Sequence, residues 1–232
     1  MSAIADNLQA VRNRIAQAAR AAGRPADSIS LLAVSKTKPL ADVLAAAAAG
    51  QTDFGENYVQ EGVDKLLASA AGNSLTWHFI GPLQSNKTRL VAEHFDWVHS
   101  VDRLKIAERL STQRPSTMPP LNVCVQVNVS GEASKSGCAP AEAAALCQAV
   151  ARLPGLRLRG LMAIPEPTDD IAAQRLPFRQ LRGIFEQLQR TGLALDTLSM
   201  GMSHDLEAAI AEGATLVRIG TAIFGERTPA RV

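Results

Sequence analysis

The chain has 232 residues, of which 47% are hydrophobic, 20% charged and 4% aromatic. That apolar share can fill a sizeable core and excludes a wholly disordered chain. Lys and Arg number 24 against 22 Asp and Glu, a formal net charge of +2, which leaves no electrostatic footprint for nucleic acid or an anionic membrane. No apolar run approaches the roughly 18 residues of a membrane span. The opening stretch mixes acids, amides and arginines with apolar residues, unlike the compact apolar segment of a secretory signal. Cys124, Cys138 and Cys147 form an odd set without a C-x-x-C pair. They read as reduced thiols, with no disulfide framework and no metal site. These features predict a soluble cytoplasmic protein.

Along the chain, Ile4, Leu8, Val11 and Ile15 set a helical stripe over Ala3–Ala22, stopped by Gly23 and Pro25. The first strand is Ile29–Lys36, and an Ala-rich helix follows from Pro39 to Gly50. TDFGE is the second strand, with a helix over Asn57–Ala71; LTWHFIG is the third, with a helix over Asn86–His94. WVHSV is the fourth, and Asp102 is placed to cap a helix running through Leu110. After the proline-rich connector RPSTMPP comes the fifth strand, LNVCVQVNV, then a polar loop and a helix over Pro140–Arg152. The sixth strand spans Arg157–Ile164, with a helix over Ala172–Arg190; LDTLSMG is the seventh, with a helix over His204–Glu212. LVRIG is the eighth, and Gly220-Thr221 opens a short apolar helical turn. Eight strand-like runs alternating with helices imply parallel βαβ units. They predict an α/β, single-domain (β/α)8 TIM barrel over 1–232 with an extra N-terminal helix, a doubly wound open sheet being the competing topology.

In such a barrel the active site lies at the carboxyl ends of the strands. Lys36 there shares the parity of Leu32 and Val34, so it either snorkels to solvent or serves as a desolvated amine able to form a Schiff base. Lys38 is the weaker candidate for that role. Loops after the seventh and eighth strands, with a short extra helix, are the recurrent phosphate site of this fold. Ser203, Gly220 and Thr221 stand there; the two hydroxyls either donate to an anion or cap their own helices. Arg218, mid-strand between Val217 and Ile219, needs a partner, either an acid such as Glu166 or an acceptor on a ligand. His78, between Trp77 and Phe79, reads as a satisfied core histidine, while Met200 and Met202 flank the glycine turn near the phosphate end. GEASKSG, residues 131–137, lacks the ending of a P-loop and reads as a polar lid carrying Lys135.

Together AVSKTKP, FGENYVQE, WHFIGPLQSNK, VHSVDR, GLMAIP, LSMGMS and VRIGTAIFG resemble the pyridoxal phosphate homeostasis protein family, whose members are similar to the barrel domain of alanine racemases. The resemblance spans nearly the whole chain. It implies that Lys36 carries pyridoxal 5′-phosphate (PLP) as an internal aldimine, that Ser203, Gly220 and Thr221 cradle the phosphate, and that Arg218 meets the pyridine nitrogen. It implies that Asn57 and Met200 neighbour the ring. His204 stands in MSHD where family members often carry an acid, which bears on charge at the phosphate end. The racemase's second base is a tyrosine on an appended domain, whereas Tyr58 is the one tyrosine of this sequence. The expected function is therefore handling of PLP in vitamin B6 and amino-acid balance without an established catalytic activity, by a monomer in transient contact with PLP-dependent apo-enzymes. Lys38, Lys87 and Lys135 are candidates for a secondary aldehyde site. The alternatives are a PLP-dependent racemase or lyase with a single lysine base, and an aldolase-type barrel in which Lys36 attacks a sugar carbonyl.

Overall fold

A computed structural model describes residues 3–69, 74–131 and 136–226. Helix α1 (Ala3–Ala21) buries Leu8, Val11 and Ile15, the predicted stripe. Eight strands follow: β1 (Ser30–Val34), β2 (Asp53–Glu56), β3 (Thr76–Phe79), β4 (Trp97–Val101), β5 (Leu121–Gln126), β6 (Leu156–Met162), β7 (Thr197–Ser199) and β8 (Leu216–Ile219). They alternate with α2 (Leu40–Ala48), α3 (Val59–Ser69), α4 (Thr88–His94), α5 (Leu104–Gln113), α6 (Ala143–Val150), α7 (Ile171–Arg190), α8 (Leu206–Ala211) and α9 (Thr221–Phe224). Each strand pairs in parallel with the next, and β1 closes on β8 through Leu31↔Val217 and Leu32↔Arg218. The expected (β/α)8 barrel is thus the observed fold, and the open sheet is excluded by closure.

Strand alternation divides the apolar residues into two sets. Ala33, Phe54, Phe79, Val98, Val217 and Ile219 join the large core between sheet and helices. Leu32, Val34, Ile80 and Leu216 form a small separate cluster inside the barrel. Helix α1 packs on α2, α8 and α9, with Asn7 Nδ2 donating to the Ile223 carbonyl at 2.9 Å. It therefore straps the first and last βα units together.

Local differences have physical reasons. Asp102 does not cap α5: its carboxylate takes a 2.7 Å hydrogen bond from the Arg103 guanidinium, and Arg103 holds the cap position without a side-chain bond. Short 3-10 turns at Ala26–Ser28 and Pro140–Glu142 precede β1 and α6; each follows from a proline that starts a turn too short to show periodicity. Residues 70 and 71 of the predicted second-unit helix, and Lys135 with most of the predicted lid, lie outside the described residues.

Candidate functional site

At the carboxyl ends of the strands a cavity of about 200 Å³ is lined by Val34, Lys36, Asn57, Ile80, Ile164, Met202, Ser203, His204, Arg218, Gly220 and Thr221. Six of the seven predicted site residues meet there. The strand period explains the convergence, because Lys36 continues the inward parity of Leu32 and Val34, and Gly220 that of Leu216 and Arg218. Such a volume lies below the roughly 300–1,000 Å³ of pockets for drug-sized molecules, and suits a ligand with one ring.

Met200 is the exception. It is fully buried in the core between sheet and helices, not on the cavity wall. It follows the outward parity of Leu198, while Ser199 faces inward. Gly201, at φ 97°, then breaks the alternation, and Met202 lines the cavity instead.

Lys36 sits half-buried in a turn directly after β1. Lys38 N–H closes that turn on the Ser35 carbonyl at 3.1 Å, and Thr37 adopts φ 63°, an outlying conformation for a β-branched residue. A buried polar cluster holds it. Lys65 Nζ donates to the Ser35 carbonyl at 2.7 Å, to Glu56 Oε1 at 2.9 Å and to Glu61 Oε1 at 2.6 Å. Ser35 Oγ donates to Glu56, and Thr37 N–H to Glu61, each at 2.6 Å. Burial pushes the Glu56 carboxyl up, against the pull of Lys65 and the Ser35 hydrogen bond. Sequence reading missed this cluster, since its members are scattered over β1, β2 and α3.

Lys38 is not poised as a nucleophile. Its Nζ donates to the carbonyls of Phe224 at 3.0 Å and Glu226 at 2.7 Å, clipping the end of α9 to the Lys36 turn.

Arg218 is 3% exposed. Its Nη1 donates to Ser199 Oγ at 2.7 Å and its Nη2 to the Ala163 carbonyl at 2.9 Å. The acid partner Glu166 is not used; that residue is exposed on the loop beyond β6. Burial pulls the guanidinium down to about 10, with Asp205 opposing, so it remains charged at neutral pH. Asn57 Oδ1 is buried without a hydrogen-bond partner among the described residues. Gly81 explains why Asn57 is placed so tightly: a Cβ there would run into the Asn57 backbone.

At the opposite wall, Ser203 and Thr221 do not cap the neighbouring helices; Asp205 and Gly220 hold those positions. Both hydroxyls are therefore available to the cavity. The first N–H groups of α9 have no intrahelical acceptor, and Gly220 packs its Cα against Val34, whose carbonyl would stand 3.1 Å from an added Cβ. A lysine amine, a buried guanidinium, an orphan amide oxygen and a hydroxyl-bearing glycine turn thus share one small cavity.

Comparison with known proteins bears on what that set holds. Residues 6–228 match the alanine racemase N-terminal domain family. A pyridoxal phosphate homeostasis protein of Pseudomonas aeruginosa is 66% identical, covering 98% of this chain and 97% of its own. The chain belongs to the pyridoxal phosphate homeostasis protein family. A member from Escherichia coli K12 is 58% identical over 98% of both chains. PipY of Synechococcus elongatus, solved with PLP bound, is 40% identical, with a TM-score of 0.84 over 96% of this chain and 100% of its own. Alanine racemase of Corynebacterium glutamicum, 18% identical with a TM-score of 0.73, covers 98% of this chain with 62% of its own and shares the fold.

Proposed function

We propose that this chain binds PLP in the cavity and carries it as a Schiff base on Lys36, so that it stores and hands on the cofactor within vitamin B6 and amino-acid homeostasis. The observation that supports this most is the convergence of Lys36, Arg218 and the Ser203–Thr221 wall on one cavity. The PLP-bound PipY relative supports the choice of ligand. When bound, PLP supplies an electrophilic aldehyde carbon and a ring that can delocalise electrons.

In this reading Lys36 would hold the cofactor through its amine in the neutral form, and PLP would supply the aldehyde carbon for that linkage, with one water released. Ser203, Thr221 and the first N–H groups of α9 receive the phosphate. Arg218 offers donors only, so it would hold the ring nitrogen as an unprotonated acceptor, which would weaken the ring as an electron sink. That favours holding the cofactor over carbanion chemistry. Val34, Ile80 and Ile164 supply apolar walls, and Asn57 offers its amide beside the ring.

A titration of purified protein with PLP, read by visible absorbance and equilibrium dialysis, tests the reading. Saturable binding of one PLP per chain, transferable to an apo-enzyme and without α-deuterium loss from a panel of amino acids, is expected. No saturable binding overturns it, and catalysed α-deuterium loss replaces the carrier by a racemase or lyase using Lys36 as its base.

A further inference from the structure

A line of buried polar side chains runs from Arg218 through the barrel interior to its amino end. Arg218 Nη1 meets Ser199 Oγ at 2.7 Å, and Ser199 Oγ lies 2.7 Å from His99 Nδ1. His99 Nε2 lies 2.9 Å from His78 Nδ1, and His78 Nε2 lies 3.2 Å from Asp53 Oδ1. Ser199, His99 and His78 are at most 1% exposed, while Asp53, the first residue of β2, is 36% exposed in its side chain.

The two ends determine the direction of every bond between them. A guanidinium only donates, so Ser199 Oγ must accept from Arg218; an ionised carboxylate only accepts, so His78 Nε2 must donate to Asp53. Burial lowers both imidazoles, His99 well below the ordinary histidine value, so each ring carries one proton at neutral pH. His78 Nδ1 is then bare and accepts from His99 Nε2–H. His99 Nδ1 is bare in turn and accepts the Ser199 hydroxyl proton. The opposite order would set a bare His78 Nε2 against the Asp53 carboxylate, two acceptors facing each other at 3.2 Å with the buried imidazole left without its hydrogen bond. The charged and titratable groups near the rings agree with this order. His78 feels Asp53 and Asp96 and stacks on Trp97, which Arg159 covers at 4.6 Å, while His99 feels His78 and Arg218.

We propose that Asp53, His78, His99 and Ser199 are positioning residues: a one-way hydrogen-bond relay that fixes the Arg218 guanidinium from the far end of the barrel and leaves its remaining N–H groups aimed at the cavity. The relay's bearing on the cofactor rests on Arg218 being the partner of the PLP ring nitrogen; its tautomers do not.

Long-range 1H–15N NMR of the histidine rings in the cofactor-free protein tests it directly. The sequence has four histidines, and His94 is an internal control, because its Nδ1 lies 2.9 Å from the Leu90 carbonyl and must carry the proton. His78 and His99 are expected as neutral Nε2–H tautomers, opposite to His94, at neutral pH. An Nδ1–H tautomer or a doubly protonated ring at either position overturns the relay, with no variant needed. In a second arm, Asp53→Leu removes the terminal acceptor, while Asp53→Asn keeps an oxygen that can accept. Asp53→Leu should weaken PLP binding about tenfold, the worth of one broken buried hydrogen bond, and change the absorbance of bound PLP. Asp53→Asn should restore both towards wild type. Wild-type affinity and spectrum in a folded Asp53→Leu protein would contradict the positioning role. Failure of the wild-type protein to bind PLP would sink the proposed function and leave the tautomer result standing.

Discussion

Lys65 Nζ lies 2.7 Å from the carbonyl oxygen of Ser35, so a buried cation is tied to the peptide directly before Lys36. The same ammonium pairs with Glu56, whose side chain is 0% exposed, and with Glu61, which holds the Thr37 N–H on the other side of Lys36. The turn that presents the amine is therefore set by three charges on β2 and α3.

Lys65→Met would leave Glu56 buried without its cation, which costs about 3–5 kcal/mol for a broken buried pair. Urea unfolding should show a loss of that size. Replacing both partners, Lys65→Met with Glu56→Leu, should recover most of it, because a buried pair exchanged for apolar side chains is often neutral. A loss under about 1 kcal/mol in the single variant would mean that the cluster does not hold the turn.

Lys38 joins the Lys36 turn to the carbonyls of Phe224 and Glu226. Lys38→Met should lower PLP affinity about three- to tenfold, the worth of one or two such hydrogen bonds, while borohydride still traps the adduct on Lys36. Loss of all trapping would instead make Lys38 the covalent residue.

Glu212 is 1% exposed and pairs with Arg175 at 2.7 Å and Arg179 at 3.0 Å. Burial alone would raise its carboxyl, but the hydrogen bonds and charges of the two arginines outweigh that and hold it below the ordinary value of 4.5. A carboxyl lowered in the folded state contributes stability above its unfolded value and loses it as pH falls through the folded value. Wild type should therefore lose stability between about pH 5 and pH 3 more steeply than Glu212→Gln. Glu56 and Asp205, both raised by burial, work in the opposite direction. Parallel curves for the two proteins, from urea midpoints across that range, would contradict the assignment.

All three cysteines are free and buried. Burial pushes the Cys138 thiol up to about 11 and Cys147 to about 12, and Cys124 higher still. Because the thiolate is the reactive form, a disulfide reagent at mild alkaline pH should titrate them only as fast as the protein unfolds. Rapid labelling of one thiol in the folded protein would contradict this.

The sequence displayed the barrel because its strands and helices carry their own periodicities, and it displayed Lys36, Arg218 and the Ser203–Thr221 wall because unusual residues stand at strand ends. Met200 shows where that logic slipped: its parity with Leu198 already pointed it at the helices, and the flip at Gly201 moved Met202 to the cavity. The partner of Arg218 was beyond sequence reasoning. The links from Arg218 to Ser199, from Ser199 to His99 and from His99 to His78 span 19, 100 and 21 positions in turn, and only barrel closure brings these residues together. The same holds for Lys65, which in sequence is one more lysine on an amphipathic helix.

Borohydride reduction of the PLP-loaded protein, followed by peptide mass mapping, tests the central claim most directly. The account predicts one reduced pyridoxyl adduct, on the peptide carrying Lys36, and its disappearance in Lys36→Ala. An adduct mapping to another lysine, or wild-type trapping in Lys36→Ala, would contradict it.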